Sequence, residues 1–126
     1  MLADFKLMAF LATTDAARAR TFYEGVLGLS FVSEDDFAVV YDIRGIELRL
    51  QKVRAFVPQP HTALGWLVDG IEKIVRDIAA RGGHFERFPP LEQDAAGIWT
   101  SPSGARIAWL RDPDGNLLSL TEKACA

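Results

Sequence analysis

One structural phrase, a strand and an amphipathic helix followed by three short strand-like runs, occurs twice in the chain, and that duplication restricts the fold more than any other feature. Residues 5–13, FKLMAFLAT, have strand character, Thr14 or Asp15 suits a helix N-cap, and Ala16, Ala19, Phe22, Tyr23, Val26 and Leu27 recur at helical spacing up to Gly28. The phrase returns at residues 61–69, HTALGWLVD, a strand ending in a capping Asp69. Ile71, Ile74, Val75, Ile78 and Ala79 then form an apolar helix stripe closed by Gly82 and Gly83. The later runs are LSFVSE, FAVVYDI and IELRLQKV in the first copy, turned at Asp35-Asp36 and Arg44-Gly45. In the second they are HFERF, ARIAWLRD and LLSLTE, the last two joined by the turn Asp112-Pro113-Asp114-Gly115-Asn116. The prediction is an α+β fold of two tandem βαβββ modules, about 4–52 and 61–122, with the proline-bearing segment 53–60 as linker. Residues 89–104, rich in Pro and Gly, read as a loop bordering a site.

A length of 126 residues suits one domain built on a single core. A net charge of -3, with no run of five basic residues, leaves no cationic face for nucleic acid. No apolar stretch approaches the roughly 18 residues of a membrane span, and Asp4 and Lys6 interrupt the start where the apolar part of a signal peptide would lie. A cytoplasmic location is expected by default. The single cysteine, Cys125, has no Cys partner for a disulfide and no metal-binding neighbour.

Strand alternation separates Ile46, Leu48 and Leu50, which should meet the helices, from Glu47, Arg49 and Gln51 on the opposite face. A polar face in the middle of such a strand either meets water or lines a cup in a curled sheet. Glu47 is therefore a general-base candidate if desolvated, or a plain ion-pair partner of Arg49. Arg49 is suited equally to an anionic ligand or to neutralising Glu47. Trp66 shares a face with Leu64 and Val68 and should pack as core. Trp99, in the Pro- and Gly-rich loop, is free to meet a ligand, whereas Trp109 lies between two apolar faces that alternation does not distinguish. His61 and His84 stand at strand starts as exposed polar residues, and neither has a Ser or Cys partner in a nucleophile motif.

With FYEGVLGL followed by SFVSEDD, and WTSPSGARIAWLRDPDGNLLSL near the end, the chain resembles the vicinal oxygen chelate superfamily of glyoxalases, extradiol dioxygenases, and bleomycin and fosfomycin resistance proteins. The resemblance runs from Asp4 to Glu122, and its most specific pieces are Phe22-Tyr23 with Gly28-Leu29 and Arg111 to Asn116. It implies a curled mixed sheet around a U-shaped cup and, in the enzymes of the group, metal ligands at four cup positions. Those positions fall on Met8, Glu47, Ala63 and Ser119, of which only Glu47 is a usual ligand. His61, on the face of Ala63, lies about 6.6 Å further along the strand.

The resemblance thus implies a metal-free homodimer without a cofactor. It would bind a small organic molecule for sequestration or sensing, as bleomycin resistance proteins do, in a cup lined by Met8, Glu47, Arg49, Ala63, Trp99 and Ser119. The alternative is a glyoxalase- or isomerase-like lyase, with or without a divalent metal. Glu47 would remove a proton next to a carbonyl and Arg49 would stabilise the oxyanion. Whether the protein is an enzyme stays open at this point; neither nucleic acid nor membrane is an expected partner.

Overall fold

The computed structural model describes residues 1–125, and the chain divides into two units, the first ending at Val57 and the second beginning at Pro58. In the first unit β1 (Met8–Thr13) leads into α1 (Ala16–Arg20), and β2 (Ser30–Glu34), β3 (Ala38–Ile43) and β4 (Ile46–Lys52) follow. They form a mixed four-stranded sheet in the order β1-β4-β3-β2, with β1 parallel to β4 and the other pairs antiparallel. Asp15 caps α1 by accepting the Arg18 N–H at 3.1 Å. Over Thr21–Val26 the helix widens into a π turn, where the Leu27 N–H donates to the Phe22 carbonyl five residues back. The β3–β4 hairpin turns on Arg44 and Gly45, at φ 49° and 88°, the pair of positive values that a two-residue turn matching the strand twist requires.

Register explains the core of this unit. Tyr41 stands beside Leu48, and Val39 beside Leu50, which is also the partner of Leu11; all are buried. Their common face meets the helical segment, as the Tyr23 ring 5.9 Å from that of Tyr41 demonstrates. Glu47 and Arg49 therefore point to the opposite, open face, as alternation predicts.

A charged network closes the helix side. Arg20 donates to Glu24 at 2.7 Å and to Glu34 at 3.1 Å, Lys52 donates to Glu34 at 2.8 Å, and the Tyr41 hydroxyl donates to Glu24 at 2.9 Å. The Arg20 guanidinium also lies 3.8 Å from the centre of the Phe31 ring. The Arg20 hydrogen bond, assisted by the Tyr41 hydroxyl, holds the Glu24 carboxyl below its ordinary range. Lys52 and then Arg20 do the same for Glu34. Burial and the adjacent Glu24 push the Tyr41 phenol up.

The second unit repeats the plan with β5 (Leu64–Leu67), α2 (Ile71–Ala80), β6 (Trp99–Thr100), β7 (Arg106–Arg111) and β8 (Leu117–Glu122), in the order β5-β8-β7-β6. Again the first strand runs parallel to the last. Ala108, Leu110, Leu118 and Leu120 form the buried face of its sheet, and Ile71, Val75 and Ile78 are the buried residues of α2. Asp112 closes the β7–β8 turn by accepting the N–H groups of Asp114 and Asn116 and the Asn116 side-chain amide.

Two local expectations fail in this unit. Asp69 does not cap α2: Gly70 occupies the N-cap at φ 70°, and the Ile71 N–H donates instead to the Glu122 carboxylate at 3.1 Å, so β8 supplies the cap. HFERF does not form a strand either. Phe85 makes one bridge to Leu110 and the Glu86 N–H reaches the Trp109 carbonyl at 2.8 Å. Pro89 and Pro90, which have no N–H to donate, follow directly and end the pairing. The place beside β7 goes to Trp99–Thr100, from inside the expected loop. Among the described residues no helix is long and apolar enough to cross a membrane.

Because both glutamates titrate below 4.5 in the folded unit, the stability they contribute is present above their unfolded pKa and is lost as pH falls through the folded values. Urea midpoints should hold steady near neutrality and decline below about pH 4.5, and the decline should be shallower for Glu34→Gln. Equal slopes in wild type and variant would remove Glu34 from the acid response.

Candidate functional site

On the open face of the first sheet the parallel β1–β4 register sets Met8 beside Glu47 and Phe10 beside Arg49, with Val40 on the other side of Arg49. The Glu47 carboxylate accepts a hydrogen bond from the Arg49 guanidinium at 3.2 Å. Their side chains keep 42% and 28% of their surface exposed. Met8 and Phe10 are about half exposed, an unusual state for large apolar side chains in a sheet. This face therefore joins an apolar strip to one ion pair. Glu47 is a tethered carboxylate with water access, and its other register partner is Asp42.

The open face of the second sheet is aromatic. Ser119 pairs in register with Gly65 on one side and Trp109 on the other. In the next row Thr121 pairs with Leu67 and Ile107, and Ile107 pairs with Trp99. Trp109 lies 6.1 Å from Trp99, ring centre to ring centre, and meets Phe88 edge-on at 5.3 Å. The three rings are each half-buried, an arrangement that aromatic pairs favour and that leaves ring surface open to a ligand. Trp109, whose facing alternation leaves undecided, thus stands on the face of Ser119. Trp66, the register partner of Leu120, belongs to the opposite, helix-side face and is half-buried there. A groove lined by Pro90, Leu91, Glu92, Gln93, Asp94, Ile98, Trp99 and Thr100 flanks the aromatic cluster at Trp99.

Of the residues expected to line a cup, Met8, Glu47 and Arg49 thus share the open face of one sheet, and Trp99 and Ser119 share the open face of the other. Ala63 stands just before β5, exposed, its N–H donating to the Leu117 carbonyl at 2.8 Å. Register makes Gly65, not Ala63, the counterpart of Met8: Met8 pairs with Glu47 on the last strand of its unit as Gly65 pairs with Ser119. Phe10, Gly65 and Phe88 are the participants that sequence reasoning missed. A glycine interrupting a strand was the available signal for Gly65. Phe88 had none, since its place depends on how the chain doubles back after Pro90.

The donor set does not fit a divalent metal. Met8 presents a thioether, Ala63 and Gly65 present nothing, and Ser119 presents a neutral hydroxyl, which leaves Glu47 as one oxygen ligand already engaged by Arg49. No group of three His, Cys, Asp or Glu side chains gathers among the described residues. His61 and His84 are both exposed, outside the strands.

The model of the Glyoxalase/Bleomycin resistance protein/Dioxygenase superfamily matches residues 7–120. Among solved structures, a glyoxalase family protein from Bacillus anthracis superposes with a TM-score of 0.74 at 15% identity, over 96% of each chain. A member of the same superfamily from Sphaerobacter thermophilus gives 0.73 at 22% identity, over 98% of this chain and 100% of its own. A lactoylglutathione lyase from Agrobacterium tumefaciens gives 0.72 at 19% identity, over 94% and 93%. Likeness at these identities carries the fold. No curated protein matches the chain.

The facing of β4 generates a direct test. Leu48→Ala removes a fully buried side chain from the helix side and should cost about 2 to 5 kcal/mol. The double variant Glu47→Gln, Arg49→Met removes a partly hydrated pair and should cost about 1 kcal/mol or less. Chemical denaturation in which the double variant is the more damaging would invert the assignment of faces.

Proposed function

The chain belongs to the glyoxalase/bleomycin resistance protein/dioxygenase superfamily, and we propose that within it this protein binds a small organic molecule without a metal, for sequestration or sensing. One observation carries the reading: where a metal enzyme needs nitrogen and oxygen donors, this chain presents a thioether, a bare strand and a hydroxyl set against three clustered aromatic rings. Apolar ring surface removed from water stabilises a complex by about 25 cal/mol per Å², and a few polar groups then fix orientation. Met8, Glu47 and Arg49 on one open face, and Ala63, Trp99 and Ser119 on or beside the other, are the residues we assign to ligand contact.

The second reading, a lyase or isomerase with Glu47 as base, rests on the Glu47–Arg49 pair. It requires substrate to displace the guanidinium from the carboxylate, after which Arg49 is positioned to take up developing oxyanion charge. A second copy of the chain is the partner we propose. Phe5 and Leu7, before the edge strand β1, and Phe10 on it are 71%, 69% and 51% exposed, and a sheet edge with such neighbours calls for cover.

Ni, Co, Zn or Mn at saturating concentration should leave the melting temperature unchanged, because a ligand stabilises only what it binds. Native mass spectrometry of the purified protein should show an organic adduct and no metal. A metal-dependent rise of several degrees that Glu47→Ala abolishes would reverse the conclusion. Sedimentation at micromolar concentration should give the dimer mass, and a monomer there rules out the pairing.

A further inference from the structure

We propose that Gly65, Ser119 and Trp109 form a subsite for the oxygen-bearing edge of a neutral, planar ring compound. The proposal rests on the binding reading above and names the class of ligand. Three adjacent strands contribute one residue each, β5, β8 and β7, and the register sets them in a single row across the open face.

The serine is the informative member. Ser119 is only 9% exposed, and its hydroxyl makes no hydrogen bond among the described residues, which leaves it able to pair with a molecule from outside the chain. No fully buried side-chain nitrogen or oxygen among the described residues lacks a partner, so solvent reaches the Ser119 Oγ. The hydroxyl is seated over Gly65: a Cβ built there would stand 2.6 Å from the Ser119 Oγ, so any other residue would displace it. Gly65 is not among the glycines with positive φ, so its backbone does not demand glycine; the seat of the Ser119 hydroxyl does.

Charge and shape then select the ligand. The neighbouring row, Leu67, Thr121, Ile107 and Trp99, is neutral. Arg111, on the same face, is engaged by Glu86 at 2.9 Å and by the Gly115 carbonyl at 2.9 Å. Among the described strand residues of this face none carries an unpaired charge, which disfavours an ion beside Ser119. A hydroxyl both donates and accepts, so it reads a carbonyl or hydroxyl oxygen, while Trp109, backed by Phe88 and Trp99, offers ring surface for the remainder of the molecule.

Acetophenone and its oxygen-free isostere α-methylstyrene serve as probes, titrated into the full-length ¹⁵N-labelled protein while the Trp109 indole N–H signal, identified by its loss in Trp109→Phe, is followed. Acetophenone should bind about fivefold more tightly, the worth of one neutral hydrogen bond. Ser119→Ala should erase that preference while leaving α-methylstyrene unaffected, and Gly65→Ala should weaken acetophenone by displacing the Ser119 hydroxyl. Gly65→Ala, Ser119→Ala, which relieves the clash, should keep the wild-type melting temperature and still show no preference. Acetophenone binding that is indifferent to both substitutions overturns the subsite while the binding reading stands. Failure of both probes to move the Trp109 signal also overturns it, and an organic adduct in the native mass spectrum of the same preparation would then keep the broader reading intact.

Discussion

Parallel pairing of the first and last strand of each unit is the constraint from which the other features follow. A parallel pair cannot be closed by a tight turn, so the chain must leave the sheet, cross as a helix and return through a hairpin before the last strand can dock. The crossover commits one face of each sheet to the helix and leaves the other open. In-register pairing then gives each open face a two-residue motif, Met8 with Glu47 and Gly65 with Ser119, before any ligand is considered.

The two open faces share this geometry and diverge in chemistry. The first carries an ion pair bordered by flexible apolar side chains. The second carries a cluster of three rings and, beside Trp109, the hydroxyl of Ser119. On the helix side the first unit adds Arg20, Glu24, Glu34 and Lys52 in one network, with Tyr41 as its anchor in the core. Charge in the first unit thus closes the surface on the helix side, and the aromatic residues of the protein are divided between core and open face.

What was legible in the sequence followed from period. The repeat, the facing of Glu47 against Leu48, and the turn chemistry at Arg44-Gly45 and Asp112–Asn116 all rest on local spacing, and local spacing is what strands and turns obey. Partners distant along the chain were not legible. The α2 cap comes from Glu122, which no rule about Asp69 anticipates, and the strand beside β7 comes from Trp99 because Pro89 and Pro90 prevent HFERF from extending the pairing. Trp109 shows the same limit: alternation places it on a face, but with apolar residues on both faces only the register with Ser119 decides which. Family resemblance supplied four positions and no ligand, since of Met8, Glu47, Ala63 and Ser119 only Glu47 is a usual ligand.

The way the segment after Phe88 is fastened has a consequence for how the protein can change. Gln93 alone accepts the Phe88 N–H and donates to the carbonyls of Glu86 and Gly97, while Asp94 accepts the N–H groups of Ala96 and Ile98. Arg87 adds hydrogen bonds to the Gln93 and Ala95 carbonyls, so the loop is pinned by three side chains together with a single backbone bridge between Gln93 and Trp99. Pro90, Leu91 and Glu92 form the bank of the groove beside Trp99, and of these Leu91 adds only its backbone N–H, donated to the Phe88 carbonyl at 2.8 Å. Exchanges there can redraw the rim of the groove and leave the rings in place, so the shape of this rim can drift independently of the fold.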